Sequence, residues 1–387
     1  MKKKKILYWS PHLTHIGTIN SVLNSVKALR TYSNTYNEID IQVINLFGEW
    51  SNHKVLLDKI NATLVNFFNP KINKFIPRNS FLKSRFSYLL FFFLSIFKLK
   101  NFLQLNKSSI MIIHLLTSLP ILVVSIFDLD IKLVLRISGR LKKNFIRNVI
   151  WRLGKKKIKY VTCPSEETRN EIIKLNIFDE YKVITLYDPV IEPKKINKLK
   201  RDKIENNIFL EKKYILGVGR LTNQKNFLEL IKSFEVISKR NPEFLLIILG
   251  EGEERNKLIN QIKLSKLENK VFLLGFKQNV YKYLYHANVF ISSSKYEDPG
   301  ASIIQAIYCN RFVISSNCKN GPSEILNSGK GGILYDPVNE SIEESFEKFL
   351  KINEVNKKKY IISAKKNILK YSLFRHYKAL IKIINKV

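Results

Sequence analysis

The sequence predicts an α/β protein of two doubly wound parallel-sheet domains facing a cleft. Three observations carry that prediction. The chain has 387 residues, 45% of them hydrophobic, which is too long for one small core and ample for two. Short apolar runs alternate with amphipathic stretches, as strands joined by helices do. The alternation lapses once, after Asp188-Pro189, into the charged and core-poor IEPKKINKLKRDKIENN, and then resumes.

The first series opens with ILYW, Ile6–Trp9, behind the lysines of MKKKK. A basic start imitates a secretory leader, but this apolar segment stops at Ser-Pro-His, well short of the ~7–15 residues a leader needs. It reads as a buried first strand. IQVINLF, MIIH, KLVLRI, YVTC and KVITL follow as strands, with helices over Thr18–Tyr32 and Leu141–Leu153. Ser165 before Glu166 and Glu167 marks a helix start, because a hydroxyl caps free amides and acids favour the positive end. The most apolar stretch is FSYLLFFFLSIF, Phe86–Phe97, flanked by Lys83, Arg85, Lys98 and Lys100. As a helix it reaches about 18 Å against a hydrocarbon core of ~30 Å, so it is expected not to span a membrane. The second series is YILGVG, FLLIILG, VFLLG, VFISSS and FVISS, each followed by a helical stretch, and the chain closes on the helix SLFRHYKALIKII. The expected organisation is a first domain over 1–190, a linker over 191–213, a second domain over 214–370 and a final helix, 371–387, packing back toward the first domain.

Charge and cysteine content narrow the function. Sixty-six basic residues against 32 acidic give a formal +34, with 34 basic against 13 acidic in residues 1–200. Nucleic acid, an anionic membrane surface and acidic small molecules are the partner classes this permits. Biased base composition is a second source of the lysine excess. No helix-turn-helix, zinc finger or RNP-like strand is visible, so nucleic acid is not the expected partner. Three scattered cysteines, Cys163, Cys309 and Cys318, show neither metal-ligand spacing nor a disulfide framework, which suits a reducing, cytoplasmic compartment.

Chemistry concentrates in the second half. Strand YILGVG ends at Gly219-Arg220, and Lys225 stands at the next helix entrance, so two cations and a helix N-terminus can converge on one anion. Arginine supplies a forked grip on phosphate and lysine a point charge. After strand VFISSS comes YEDPGAS, with a Pro-Gly turn whose backbone can approach a ligand closely. A carboxylate there would repel phosphate but would accept strongly from sugar hydroxyls beside it. Cation pair, carboxylate and helix N-terminus together describe a nucleotide-sugar pocket. The competing reading is that Glu297 and Asp298 merely favour the helix start.

GVGRLTNQKNFLELI, LGEGEERNKLI, VFLLGFKQNVYKYLYHANVFISSSKYEDPG, NGPSEIL and GGILYDP resemble, in order and spacing, glycosyltransferase family 4, with its GT-B fold of two Rossmann-like domains. The likeness is strong over 214–350 and weaker over 1–190, through PHLTHIGTINSVLNSVKAL, HLLTSLP, CPSEETRNEI and LYDPVI. It implies that Gly219, Arg220 and Lys225 hold a donor diphosphate and that Glu297 reaches donor-sugar hydroxyls. Pro299, Gly300 and Ala301 would line phosphate or sugar, and Phe276 would lie by the base. The family's second acid, which grips the ribose diol, is here Gln305, so charge assistance is lost. In the first domain Gly17 matches a glycine-rich loop with one glycine where two are typical, and His114 matches a histidine facing the donor sugar. His114 is equally readable as a satisfied strand-end histidine, Arg136 as meeting the acceptor or merely a neighbouring carboxylate, and His12 and His15 as acceptor contacts or solvated loop side chains.

The resemblance implies retaining transfer from a UDP- or GDP-linked sugar to a glycan or lipid-linked acceptor, with no metal and no cofactor. Surface polysaccharide or lipopolysaccharide assembly is the pathway it suggests. Residues 81–100 are expected to rest on an anionic leaflet, the alternative being a buried helix of the first domain. A catalytically degenerate sugar-nucleotide-binding protein and, from another class, a basic nucleic-acid-binding protein are the alternatives carried forward.

Overall fold

The computed structural model describes residues 4–12, 17–33, 39–71, 81–137, 141 and 144–387, with the backbone alone described over 81–88. The chain divides into two compact units, Met1–Pro189 with Leu373–Val387, and Val190–Ser372.

The first unit is built on a parallel seven-stranded sheet. Its strands are β1 (Lys4–Trp9), β2 (Ile39–Asn45), β3 (Thr63–Asn66), β4 (Ser109–Ile113), β5 (Ile131–Arg136), β6 (Ile158–Cys163) and β7 (Val183–Thr185), in the order β3-β2-β1-β4-β5-β6-β7. The central strands are unbroken apolar runs because helices cover both faces. Along β1 and β4, Leu7, Trp9, Met111 and Ile113 enter one core, while Ile6, Tyr8, Ile110 and Ile112 enter the other. Helices Phe81–Leu105, Ser118–Ile126 and Phe145–Leu153 serve the first of these cores. Helices Gly17–Tyr32 and Leu373–Lys386 serve the second, where Leu380, Ile383 and Ile384 are buried.

The final helix is tied down by a polar chain inside that apolar face. His376 Nδ1 lies 2.7 Å from the Tyr187 carbonyl, its Nε2 lies 2.9 Å from Ser25 Oγ, and Ser25 Oγ lies 2.9 Å from Tyr8 Oη. A carbonyl only accepts, so Nδ1 carries the hydrogen and Nε2 accepts from Ser25 in the neutral ring. Burial, reinforced by the charge of Arg136, pushes the His376 pKa down to about 4, although the Tyr187 carbonyl pulls it the other way.

The second unit carries six parallel strands: β8 (Lys213–Val218), β9 (Phe244–Leu249), β10 (Val271–Leu273), β11 (Val289–Ser292), β12 (Phe312–Ser316) and β13 (Ile333–Tyr335), in the order β10-β9-β8-β11-β12-β13. Helix Phe227–Arg240 buries Phe227, Leu230, Ile231, Phe234 and Ile237 at helical spacing against this sheet. The stretch expected as a linker, 191–213, instead holds helices Pro193–Leu199 and Ile208–Glu211 and belongs to this unit. Asn279 Nδ2 fastens it by donating to the Leu199 carbonyl and to Asp202, both at 2.8 Å. Strands β3 and β13, absent from the sequence reading, are edge strands of four and three residues.

In both sheets the strand order reverses between the first strand and the fourth, at β1/β4 and at β8/β11. Loops leaving two such strands diverge to opposite sides and open a crevice beyond the strand ends. A folded pKa held below the unfolded one makes the His376 contribution complete above about pH 6.5 and lost as pH falls through 4. His376→Gln is therefore expected to lessen the fall in melting temperature between pH 7 and pH 4.5. Thermal melts at the two pH values measure it, with up to about 3 kcal/mol at stake.

Candidate functional site

The second unit's reversal point carries the charged groups. Gly219 continues β8, with its amide donating to the Leu249 carbonyl at 3.0 Å. A Cβ at this position would lie 3.0 to 3.1 Å from three carbons of the Lys225 stem, so glycine lets that lysine fold back across the strand end. Lys225 Nζ then meets Glu297 Oε1 at 2.5 Å, from the loop that follows β11. Their side chains are 17% and 5% exposed, so this is a largely dehydrated ion pair.

Further bonds lock the two loops together. Ser294 Oγ donates to the same Glu297 Oε1 at 2.6 Å, Ser293 Oγ to the Lys225 carbonyl at 2.9 Å, and Gln224 Nε2 to the Tyr296 carbonyl at 3.0 Å. The Glu297 amide donates to the Lys319 carbonyl beyond β12 at 3.1 Å. Gly321, at φ +148, leaves room for the Pro299 carbonyl, which a Cβ would approach to 1.8 Å. Both bonds to the Glu297 carboxylate fall on Oε1. Oε2 takes none among the described residues, and Lys225 retains two N–H donors. The carboxylate therefore turns to the lysine, not to the amides of the helix behind it.

That helix, Ala301–Tyr308, begins after Pro299 and after Gly300, which caps it at φ +106 in the left-handed region that favours glycine. Gln305 lies one turn further in, where Nε2 donates to the Tyr281 hydroxyl at 3.3 Å. Burial pushes the Tyr281 pKa up to about 12, so the phenol stays protonated. The Gln305 amide oxygen accepts nothing among the described residues.

Arg220 departs from the expected convergence. It is on the same loop, but its side chain is 52% exposed and its Nη2 faces Glu253 at 3.9 Å, not the Lys225–Glu297 pair. Phe276, expected beside the base, is 63% exposed, just beyond β10 and Gly275. Among the described residues, no group of three or more His, Cys, Asp or Glu is placed to hold a metal ion.

The first unit's reversal point is different in kind. The His114 amide donates to the Trp9 carbonyl at 2.8 Å, joining the ends of β4 and β1. Its ring is buried and Nδ1 has no hydrogen-bond partner among the described residues. Burial first, then the charge of Arg136, holds its pKa well below the ordinary histidine range, so the ring is neutral. Arg136 is only 4% exposed, giving Nη1 to the Leu186 carbonyl at 2.5 Å and Nη2 to Asp188 at 2.7 Å. A small cavity is lined by His114, Arg136, Thr162, Asp188 and His376.

His12, expected as a solvated loop side chain or an acceptor contact, is buried edge-on against Trp50, with ring centroids 5.0 Å apart, and pairs through Nδ1 with the Ser10 carbonyl at 3.1 Å. His15 lies outside the described residues. Gly17 opens helix Gly17–Tyr32, exposed, and a Cβ there would meet nothing within 4 Å among the described residues. Sequence reasoning missed Glu49. Its carboxyl is buried and accepts from the amides of Leu46 at 3.0 Å and Phe47 at 2.9 Å, and burial raises its pKa to about 7 against those bonds. Nothing in NLFGEW distinguishes it from a surface acid.

Residues 199–367 match the domain model of glycosyl transferases group 1. The chain is similar to an uncharacterized glycosyltransferase, MJ1059, of Methanocaldococcus jannaschii, with 41% identity over 140 residues, 35% of this chain and 34% of that protein. It is also similar to the N-acetylgalactosamine-N,N'-diacetylbacillosaminyl-diphospho-undecaprenol 4-alpha-N-acetylgalactosaminyltransferase of Campylobacter jejuni, at 34% identity over 139 residues, 36% of this chain and 37% of that one. The matched segments thus span about a third of each relative. Among solved structures, Anabaena Alr3699/HepE in complex with UDP and glucose superposes with a TM-score of 0.71 at 17% identity, over 99% of this chain and 100% of that one. The two-domain fold is therefore GT-B.

Removing one partner of a buried ion pair strands the other charge. Lys225→Met is expected to destabilise the second unit by about 3 kcal/mol, with Lys225→Met/Glu297→Gln recovering part of the loss. Urea denaturation of the three proteins measures it.

Proposed function

We propose that this chain is a retaining glycosyltransferase of family 4, moving a sugar from a nucleoside-diphosphate sugar to a glycan or lipid-linked acceptor in surface polysaccharide or lipopolysaccharide assembly. The observation that carries this reading is the dehydrated Lys225–Glu297 pair at the reversal point of the second sheet. It presents N–H donors and a carboxylate oxygen side by side, the two chemistries a sugar diphosphate needs. The group 1 domain match over 199–367 and the Campylobacter relative, named for a diphospho-undecaprenol acceptor, support it.

In this reading Lys225 gives its remaining N–H groups to the diphosphate, with Arg220 closing on it from the exposed rim of the same loop. The amides opening helix Ala301–Tyr308 add partial positive charge. These groups stabilise the departing nucleoside diphosphate without a divalent cation. Glu297 Oε2 accepts from donor-sugar hydroxyls, and Gln305 accepts through its amide oxygen from a ribose hydroxyl. The acceptor hydroxyl attacks C1 on the face the diphosphate leaves. The C1–O bond to phosphate breaks, the new glycosidic bond forms, and the hydroxyl proton passes to the departing phosphate oxygen. His114, neutral and with Nδ1 unpartnered among the described residues, is the first unit's candidate contact for the donor sugar. The protein works in the cytoplasm with UDP- or GDP-linked donors.

Gln305 favours one second reading, a protein that binds donor without turnover. Thermal-shift measurements against a panel of UDP and GDP sugars, followed by transfer assays, separate the two. A stabilising sugar nucleotide with neither hydrolysis nor transfer would establish the silent form. Arg220→Ala should lose most of the shift; an equal shift in both proteins would place the ligand elsewhere.

Hydrogen bonds to charged acceptors are worth about 1.5–3 kcal/mol, against about 0.5–1.5 for neutral ones. Gln305→Glu is accordingly expected to tighten nucleoside diphosphate binding about tenfold. Titration calorimetry of both proteins checks it, and unchanged affinity would remove Gln305 from the ribose subsite.

A further inference from the structure

Helix Phe81–Leu105 is apolar on two opposite sides. Its inner side, Phe91, Ser95, Leu99 and Leu103 at i,i+4 spacing, is at most 5% exposed against the first unit's core. Its outer side carries Leu89, Leu90, Phe93, Leu94 and Phe97, exposed by 59, 45, 60, 52 and 68%. These five fall at 89/93/97 and 90/94, one stripe about 12 Å long on the helix surface. A helix hydrophobic all round belongs in an interior or against lipid, and here one side alone is covered.

A second element of the first unit also exposes apolar groups. Phe145 and Ile146, 79% and 72% exposed, open helix Phe145–Leu153, with helix Ser118–Ile126 lying between the two. Helices Phe81–Leu105 and Phe145–Leu153 lead into the starts of β4 and β6. Their N-terminal halves therefore lie toward the edge where the strands end, with Leu89, Leu90, Phe145 and Ile146 on that side and Phe93, Leu94 and Phe97 at and beyond the middle of the longer helix.

The surrounding charge identifies the partner. From Lys59 to Ser165 the sequence holds twenty Lys and Arg against two acids, Asp128 and Asp130. Asp128 is paired with Lys157 at 2.7 Å, and Asp130 accepts from Ser108 at 2.6 Å. Lys98 flanks the stripe, holding the Phe67 carbonyl at 2.9 Å and standing 4.0 Å from the Phe68 ring centroid. A basic excess of this kind favours an anionic partner over a second copy of the same chain. Among the described residues no helix is long and apolar enough to cross a membrane, so contact would be from one side.

We propose that this face docks the protein on a bilayer bearing anionic headgroups, with Leu89, Leu90, Phe93, Leu94 and Phe97 entering the acyl boundary and the flanking cations meeting lipid phosphates. The docking stands on the geometry of the first unit. Its purpose, reaching a lipid-linked acceptor, rests on the function proposed above.

Flotation of the full chain with phosphatidylcholine vesicles, with and without phosphatidylglycerol, tests it. The chain should float only with the anionic vesicles and be released by high salt. Phe93→Ser/Leu94→Ser/Phe97→Ser should reduce flotation at least about tenfold while keeping its melting temperature and its transfer to a soluble, tail-free acceptor. No flotation of the wild type, or equal flotation of the variant, would overturn the proposal. So would a dimer in sedimentation that the triple change dissolves, since it would assign the stripe to a second copy. Flotation without transfer in either protein would leave the docking standing and strike the proposed activity instead.

Discussion

A single ion pair organises the second unit's candidate site. In a chain of formal charge +34, Lys225 is anchored by Glu297 from a loop 72 residues away, beyond the neighbouring strand. A lysine left free beside a strand end would wander among rotamers, whereas this one is set across Gly219 and fixed at 2.5 Å. Glu297 is itself fixed by Ser294, which donates to its carboxylate, and by the Lys319 carbonyl, which accepts from its amide, so placement of the cation depends on loops after three strands. Pre-positioned charge of this kind needs no reorganisation when a ligand arrives. It also explains an acid where an anion is expected to bind, since the acid's first task is to hold the cation.

The two sheets share a winding and differ in what their reversal points present. At β8/β11 the groups are ionised and cross-linked. At β1/β4 the prominent group is His114, uncharged because it is buried and stands in the field of Arg136. Arg136 is committed to Leu186 and Asp188, so it acts on the histidine through its charge and not through a bond. A neutral imidazole can donate or accept without repelling a cationic or an anionic partner.

How much of this was readable in the sequence depended on which signals were local. The long strands were readable because burial on both faces forces continuous apolar runs. The edge strands β3 and β13 were not, being too short to show a pattern. Helix Pro193–Leu199 buries one residue, Ile196, so its sequence carried no amphipathic signal and passed for linker. Arg220, Lys225, Glu297 and Gln305 were singled out through motif spacing and the family resemblance. What spacing could not reveal was who pairs with whom: that Glu297 binds Lys225 while Arg220 faces Glu253 is decided by strand order. Likewise the burial of His12 and the His376–Ser25–Tyr8 chain depend on side chains meeting from distant segments.

The central claim is that the paired lysine and carboxylate receive a nucleoside diphosphate sugar at the end of β8. Diffraction from crystals soaked with UDP-glucose and GDP-mannose tests it most directly. The account predicts a phosphate oxygen within hydrogen-bond reach of Lys225 Nζ and a sugar hydroxyl at Glu297 Oε2 for one of the two donors. A donor bound with its phosphates away from Lys225 would contradict it.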